Sequence, residues 1–321
     1  MGAAKAIGKR LLSLAISLLV ASLLVFLLLN LLPGDVAQVI LGPNADPASV
    51  EALRQELGLD RPLIVRYLAW LGGLVTGNLG VSALTGAPFG QVIASKLAVT
   101  SWLVILGMAL ALAIAAPVGK AAAEHRRNAK GQVISIFSQL GMAIPAFLAG
   151  IILVIIFFVQ LRWFPANGYV PLLKNPLAWA ERMVLPVISL ALVQSAVLTR
   201  YVRNAFIEVM NEDYLRTARA IGWTESKALT RHGRRNVAIQ VVTVLGLQLA
   251  TLFVGAIVIE QVFVLPGLGS YLLAAVNNRD LPIVQSIAMI LVAIVLLINV
   301  LVDIAYLIID PRLRARGEVT A

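Results

Sequence analysis

The sequence predicts an all-α membrane protein, a bundle of six transmembrane helices. Three observations carry this. Hydrophobic residues make up 60% of the 321 and charged residues only 13%, where a soluble domain is about half apolar and a quarter charged. The mean hydropathy is +0.91. Six apolar runs reach the roughly 20 residues a helix needs to cross about 30 Å of hydrocarbon. None shows the two-residue alternation of a barrel strand, and in lipid only helices and closed barrels satisfy the backbone.

The runs are 11–32, closed by Pro33-Gly34, then 97–118, 133–159, 184–202, 237–259 and 283–309, the last stopped by Pro311. Lys5, Lys9 and Arg10 precede the first run in the manner of a signal peptide. The run is longer than a signal peptide's apolar core and no small-x-small cleavage site follows, so a retained signal-anchor helix is expected. Residues 1–33 thus form the N-terminus and first span, 34–95 an external segment, 96–310 the transmembrane core, and 311–321 a tail.

Basic residues orient the chain. With both termini inside, 18 Lys and Arg fall on inside segments and 8 on outside ones. The positive-inside rule therefore expects cytoplasmic termini. Outside acids match outside bases at 8 each, so the net charge of +10 is wholly cytoplasmic. It fits topology and docking rather than nucleic-acid binding. With no cysteine, disulfide and thiolate chemistry are excluded, and His125 and His232 are the only histidines. No metal cluster and no nucleophile–base pair stands out.

In the external segment, Asp46-Pro47 starts a short helix and Gly58 ends it. A second short helix is expected over 62–74, with Tyr67 and Trp70 suited to the membrane interface. A glycine-rich loop follows. The segment reads either as a small cap packed on the bundle or as a contact for something delivered from outside.

The loop 203–236 carries Arg216, Arg219, Lys227, Arg231, Arg234 and Arg235 between two apolar spans. Asp213 is placed to cap a helix over 214–221, ended by Gly222, and Thr224 to cap a second over 225–235. Two helices on a glycine turn make a knob that fits a groove in another protein. An amphipathic helix gripping anionic lipid is the other reading; Ala218 and Ala220 stand where such a helix wants Leu or Phe.

Glu260 and Asp303 are acids within spans, suited to structural pairing or to a proton relay. Pro117, Pro145 and Pro186 lie in or beside spans, and Gly141, Gly150, Gly246 and Gly255 permit close helix packing. Pro145, mid-span, is the candidate for a kink shaping a pore. The hairpin 261–282 opens with Leu265-Pro-Gly-Leu-Gly269 and is expected to hold helical structure over 271–276. It reads as a re-entrant outer gate or as a plain surface loop.

Arg216-Thr-Ala-x-x-x-Gly222 resembles the coupling-loop motif of ABC-importer permeases, keeping Ala218 and Gly222 at the family's spacing but departing at Arg216 and Thr217. Glu212-Asp-Tyr-Leu-Arg and Arg231-His-x-x-Arg-Asn236 look like the dipeptide, oligopeptide and nickel branch. So do Asn30-Leu-Leu-Pro-Gly-Asp35, Glu56-Leu-Gly-Leu-Asp60, Gly77-Asn-Leu-Gly80, Trp163-Phe-Pro-Ala-Asn-Gly-Tyr169, Glu260-x-Val-Phe-x-Leu-Pro-Gly-Leu-Gly269 and Asn278-Arg-Asp280. Together they resemble the first of that branch's two permease subunits.

The resemblance implies the type I ABC-importer permease fold and a bacterial cytoplasmic-membrane location. It implies four partners beside lipid: a homologous second permease, two cytoplasmic ATPases carrying ATP and Mg, and an extracytoplasmic substrate-binding protein. No cofactor is expected here, and no Gly-x-x-x-x-Gly-Lys-[Ser/Thr] phosphate loop occurs. The chain is thus expected to be no enzyme, but half of a pore for peptides or similar solutes. Asp213, Tyr214, Arg216, Thr217, Ala218, Arg219, Ala220 and Gly222 would meet the ATPase. Glu260, Phe263, Pro266, Gly267, Leu268, Gly269 and Asp280 would form an outer gate or binding-protein contact. An ion-gradient-driven carrier or channel is the alternative; a membrane enzyme lacks a visible catalytic group.

Overall fold

The computed structural model describes residues 2–31, 36–42 and 44–309. Pro33, Gly34, Asp35 and Pro311, the basic residues Arg312, Arg314 and Arg316, and the tail lie outside the described residues. Among those described, the only strand-like pairing is one β-bridge, Val81 to Pro88. The rest is helix and loop. In order come α1 (Gly2–Asn30), α2 (Val36–Leu41), α3 (Pro47–Glu56), α4 (Leu63–Val75), α5 (Gly90–Glu124), α6 (Ala129–Ala143) and α7 (Ala146–Leu153). After α7, a π-helical stretch Val154–Gln160 leads to α8 (Pro176–Met210), α9 (Asp213–Ala220) and α10 (Glu225–Ala228). A second π stretch, Leu229–Gly233, joins α10 to α11 (Arg234–Val262), followed by α12 (Leu268–Asn277) and α13 (Leu281–Ile309).

Among the described residues, five helical segments are long and apolar enough to cross a membrane: Gly8–Asn30, Gly90–Glu124, Pro176–Met210, Leu229–Val262 and Leu281–Ala305. The expected third span, 133–159, is two helices, Ala129–Ala143 and Ala146–Gln160, meeting at 93°. Counted as one span, the pair brings the total to six. Pro145 explains the break. Its ring disfavours helical backbone at the preceding residue, and Ile144 is extended (φ −85°, ψ 120°), as is Pro145 itself (ψ 141°). Pro117 and Pro186 instead stay inside unbroken helices.

The chain folds as two compact units. The first centres on Thr100–Pro266 and takes in the last helix from Ile298. Its core is α8, which packs on α6, α7 and, most extensively, α11. More than half of the apolar window of α8 is buried, against 11% for α1, so α8 is core and α1 mostly surface. Asn175 begins α8 by accepting the Ala178 N–H at 3.1 Å, with Pro176 at the first helical position.

Small residues set the helix spacing. A Cβ on Gly119 would stand 2.7 Å from Val202 Cγ1, one on Gly141 2.9 Å from Ala196, and one on Gly246 would collide with Val302. A Cβ on Gly150 would meet Phe263 at 3.2 Å, while at Gly255 the contact is ordinary. Three of the four glycines picked from sequence therefore sit where helices touch closely.

The second unit comprises Gly8–Val99 and Gly267–Leu297. Here α4 lies on α1: Tyr67 and Ser22 share a hydrogen bond of 2.9 Å, and Phe26 meets the Tyr67 ring edge-on at 5.4 Å. Tyr67 is thus buried against a helix. As expected, α3 starts at Asp46-Pro47 and ends at Gly58, whose φ of +66° lets the Leu59 N–H reach Arg54 O at 2.9 Å. Phe89, Leu268, Ile283 and Ile287 form this unit's core.

Candidate functional site

The basic knob is built on a small apolar floor. Leu215 and Ala218 are buried, and they pack with Ala205, Val209 and Met210 of α8, Ala228 and Leu229, and Val237 of α11. The spacing of three residues puts Leu215 and Ala218 on one side of α9. The other side presents Asp213, Tyr214, Arg216, Thr217, Arg219 and Ala220, all exposed, with Gly222 beyond them.

Both ends of α9 are fixed. Glu212, not Asp213, is the N-cap residue; Asp213 is the first helical residue, and its carboxylate stands 3.3 Å from Arg216. At the other end Gly222 adopts φ +97°, its N–H reaches Arg219 O at 3.0 Å, and the Trp223 N–H reaches Ala218 O at 3.2 Å. This double closure needs a left-handed residue, which glycine supplies without steric cost. Asn236 donates to the Tyr214 hydroxyl at 2.8 Å, tying α9 to the start of α11. Partial burial pushes the Tyr214 phenol above its ordinary pKa, against the effect of that hydrogen bond.

The second knob helix differs from expectation. It is not separate over 225–235: α10 runs through the π stretch Leu229–Gly233 straight into α11. Arg231, Arg234 and Arg235 therefore lie on the helix that continues through α11, not on a separate knob helix. Gly233 lets the pieces close, since a Cβ there would stand 2.8 Å from both Leu229 and Val209.

Ala218 thus faces its own chain. The sequence pattern placed it with the partner-contacting residues; its small side chain instead keeps α9 close to α8.

The second predicted cluster divides between the two units. In the first, Glu260 is fully buried and accepts a hydrogen bond from the Thr100 hydroxyl at 2.5 Å. Phe263 is buried, partly against Gly150, and Pro266 is half-buried. In the second unit, Gly267, Leu268 and Gly269 are buried at the start of α12. There Asp280 accepts the Ser82 hydroxyl at 2.5 Å and the Ala83 N–H at 3.1 Å. The hairpin is no plain surface loop, for Leu268 is a core residue. Its exposed side is that of Leu273 and Val276.

Sequence reasoning missed the partners of these acids, Thr100 and Ser82. It also missed Gln194 on α8, whose amide donates to Gln248 on α11 at 3.0 Å. A polar side chain inside an apolar span was the available signal. Among the described residues, no group of three His, Asp or Glu is placed to hold a metal.

The chain, whose described residues hold five unbroken apolar spans, one broken span and a capped helical knob, matches two family models. Residues 115–315 match the binding-protein-dependent transport system inner membrane component, and residues 4–113 its N-terminal membrane component. The chain belongs to this family. It is 43% identical to a putative peptide transport system permease protein of Brucella abortus over 92% of this chain and 95% of that one. It is 36% identical to a probable peptide ABC transporter permease protein of Sinorhizobium fredii (95% and 98%). It is 39% identical to the glutathione transport system permease protein of Salmonella typhi (95% and 97%).

The chain is accordingly a permease subunit of an ATP-driven importer with the type I fold, not an enzyme. ATP hydrolysis belongs to separate subunits, and an ion-gradient-driven mechanism is not favoured.

Proposed function

We propose that this permease imports peptides or peptide-like solutes as one half of a heterodimeric pore, driven through α9. Relatives named for peptide and glutathione transport support the cargo class. The other half of the pore is a homologous permease. Two ATPase subunits, binding ATP and Mg, sit on the cytoplasmic side with both termini, and a binding protein delivers cargo on the opposite side. The excess of 18 inside over 8 outside basic residues supports this orientation. A cysteine in place of exposed Ala48 on α3 should be labelled from outside intact cells; labelling only after permeabilisation reverses the orientation.

The observation that carries the coupling reading is the seating of α9. Its buried side rests on the end of α8 and on α10 and α11, and its polar side is free for a partner. An ATPase that grips Asp213, Tyr214, Arg216, Thr217, Arg219, Ala220 and Gly222 moves α9 on closing. The motion passes to α8 and α11, which pack along their length. Arg219→Cys should form a crosslink to the ATPase subunit that ATP modulates, and tethering it should stop uptake of a labelled peptide. An efficient tether that leaves uptake untouched removes α9 from the coupling path.

The hairpin between α11 and α13 is the proposed outer gate, with Glu260, Phe263, Pro266, Gly267, Leu268, Gly269 and Asp280 holding its shape. Because Leu268 is buried, the side that meets the second permease is that of Leu273 and Val276. Val276→Cys should crosslink to the partner's hairpin and block uptake. A crosslink without a block makes the hairpin a brace, not a gate.

A further inference from the structure

The second unit holds a recess of about 600 Å³ that the transport reading leaves unused. Small-ligand sites span about 300–1,000 Å³. Leu29 and Asn30 of α1, Arg54 of α3, Arg66 of α4, and Leu281 and Gln285 of α13 all line it. It therefore lies where the last turn of one membrane-crossing helix meets the first turn of another.

Three features define what it takes. Arg54 and Arg66 both line it, and Arg66 is half-buried. Burial first, then the charge of Arg54, lowers the pKa of Arg66. Two like charges thus line a common space, and Glu51 stands 3.7 Å from Arg54. Next, the Gln285 amide nitrogen is buried without a hydrogen-bond partner, a costly arrangement that an acceptor oxygen repairs. The terminal torsion of a glutamine turns readily, so the amide can swing to a ligand. Last, α1 exposes Leu24, Leu27 and Leu28, with exposed Leu31 just past its end, along the helix that ends at the recess. That apolar track sets a lipid apart from a soluble anion, which has no use for it.

We propose that the recess binds the headgroup of an anionic phospholipid, its phosphate held by Arg54, Arg66 and Gln285 and its acyl chains lying along α1. Guanidinium groups fork onto phosphate oxygens through paired N–H donors. Among the described residues that line the recess there are two arginines and no acid, so an anionic headgroup suits it better than a zwitterionic one. The inference needs only that α1 and α13 cross the membrane; it is independent of the peptide reading.

The test uses the full chain in nanodiscs of mixed phosphatidylethanolamine and phosphatidylglycerol. After transfer to detergent, native mass spectrometry reads the lipid that stays bound. Wild-type protein should retain phosphatidylglycerol in preference. The double variant Arg54→Gln/Arg66→Gln should retain about tenfold less, the loss expected for charge-assisted phosphate contacts. Arg279→Gln, at an exposed base outside the recess, should retain as much as wild type. If the double variant misfolds on gel filtration, Gln285→Glu replaces it: the added carboxylate repels phosphate and should lower retention on its own. Equal retention in these recess variants overturns the proposal. Wild-type retention of both lipids in the proportions of the bilayer does the same. If the variants keep their lipid but lose crosslinking to the extracytoplasmic binding protein, the recess is a protein-docking site and the lipid assignment falls.

Discussion

The hydroxyl of Thr100 donates to the carboxylate of Glu260 at 2.5 Å, with both residues essentially inaccessible. The pair joins α5 to the last turn of α11. A buried hydrogen bond to a carboxylate costs about 1.5–3 kcal/mol when one partner is removed. Thr100→Val should therefore lower stability by that order, and Glu260→Gln, which keeps an acceptor, by less. Thermal unfolding of the purified chain in detergent measures both. A Gln variant less stable than the Val variant would show that the charge of Glu260, not its hydrogen bond, is what the fold needs.

Ala218 and Arg219 are neighbours in sequence with opposite surroundings, one buried and one exposed. Ala218→Leu overfills the floor of the knob, at a cost of about 1–3 kcal/mol. Arg219→Ala changes stability by less than about 0.5 kcal/mol. The first should make residues 213–235 sensitive to protease, while the second leaves digestion unchanged and weakens ATPase co-purification. The reverse pattern would put Ala218 on the contact surface.

Val264 sits at φ 52°, a left-handed conformation that its branched side chain resists. It stands two residues past the end of α11, where the Leu265 N–H turns back to Glu260 O at 2.8 Å. Left-handed backbone costs an L-residue about 1–2 kcal/mol; glycine avoids that cost but loses about 0.5–1 kcal/mol in chain entropy. Val264 is largely exposed, so little packing is lost. Val264→Gly should leave stability unchanged or raise it by up to about 1 kcal/mol, read from a thermal melt. A clear drop would mean that the valine side chain contributes contacts worth more than the strain.

Asp280 is held to a loop almost two hundred residues upstream through Ser82 and Ala83. Asp280→Ala removes the acceptor of both donors and should release residues 80–89. Hydrogen exchange at Ala83 should rise by about tenfold or more, matching the roughly 1.5–3 kcal/mol of a charged hydrogen bond. Ser82→Ala, which spares the Ala83 contact, should produce a smaller rise. Unchanged protection in both variants would show that the loop is fixed by its apolar contacts alone.

The spans were legible because an uninterrupted apolar run long enough to cross lipid has few other uses. Gly58 and Gly222 were legible as helix ends for an equally local reason: the chain must turn there, and glycine turns without cost. What stayed hidden was either conditional or distant. Pro145 signals that a helix is disturbed but not by how much, since Pro117 and Pro186 sit inside unbroken helices. The arginines at 231, 234 and 235 break the apolar pattern without breaking the backbone, so one continuous helix read as two, a knob helix over 225–235 and a span from 237. Thr100 and Ser82 looked like ordinary small polar residues because their acids lie 160 and 198 positions away.

The π stretch Leu229–Gly233 amounts to one extra residue wound into an otherwise α-helical rod. Each residue of an α-helix advances the side-chain direction by about 100°. The bearing of α9 relative to the faces of α11 is therefore keyed by a count, not only by contacts. A wide turn of this kind takes up the extra residue while the α-turns on either side keep their direction, whereas a residue added or removed in the plain α-helical part would swing everything before it by about that angle. In the proposed coupling, substitutions in the knob would alter its grip, and an indel in the α-helical rod beside it would alter its aim.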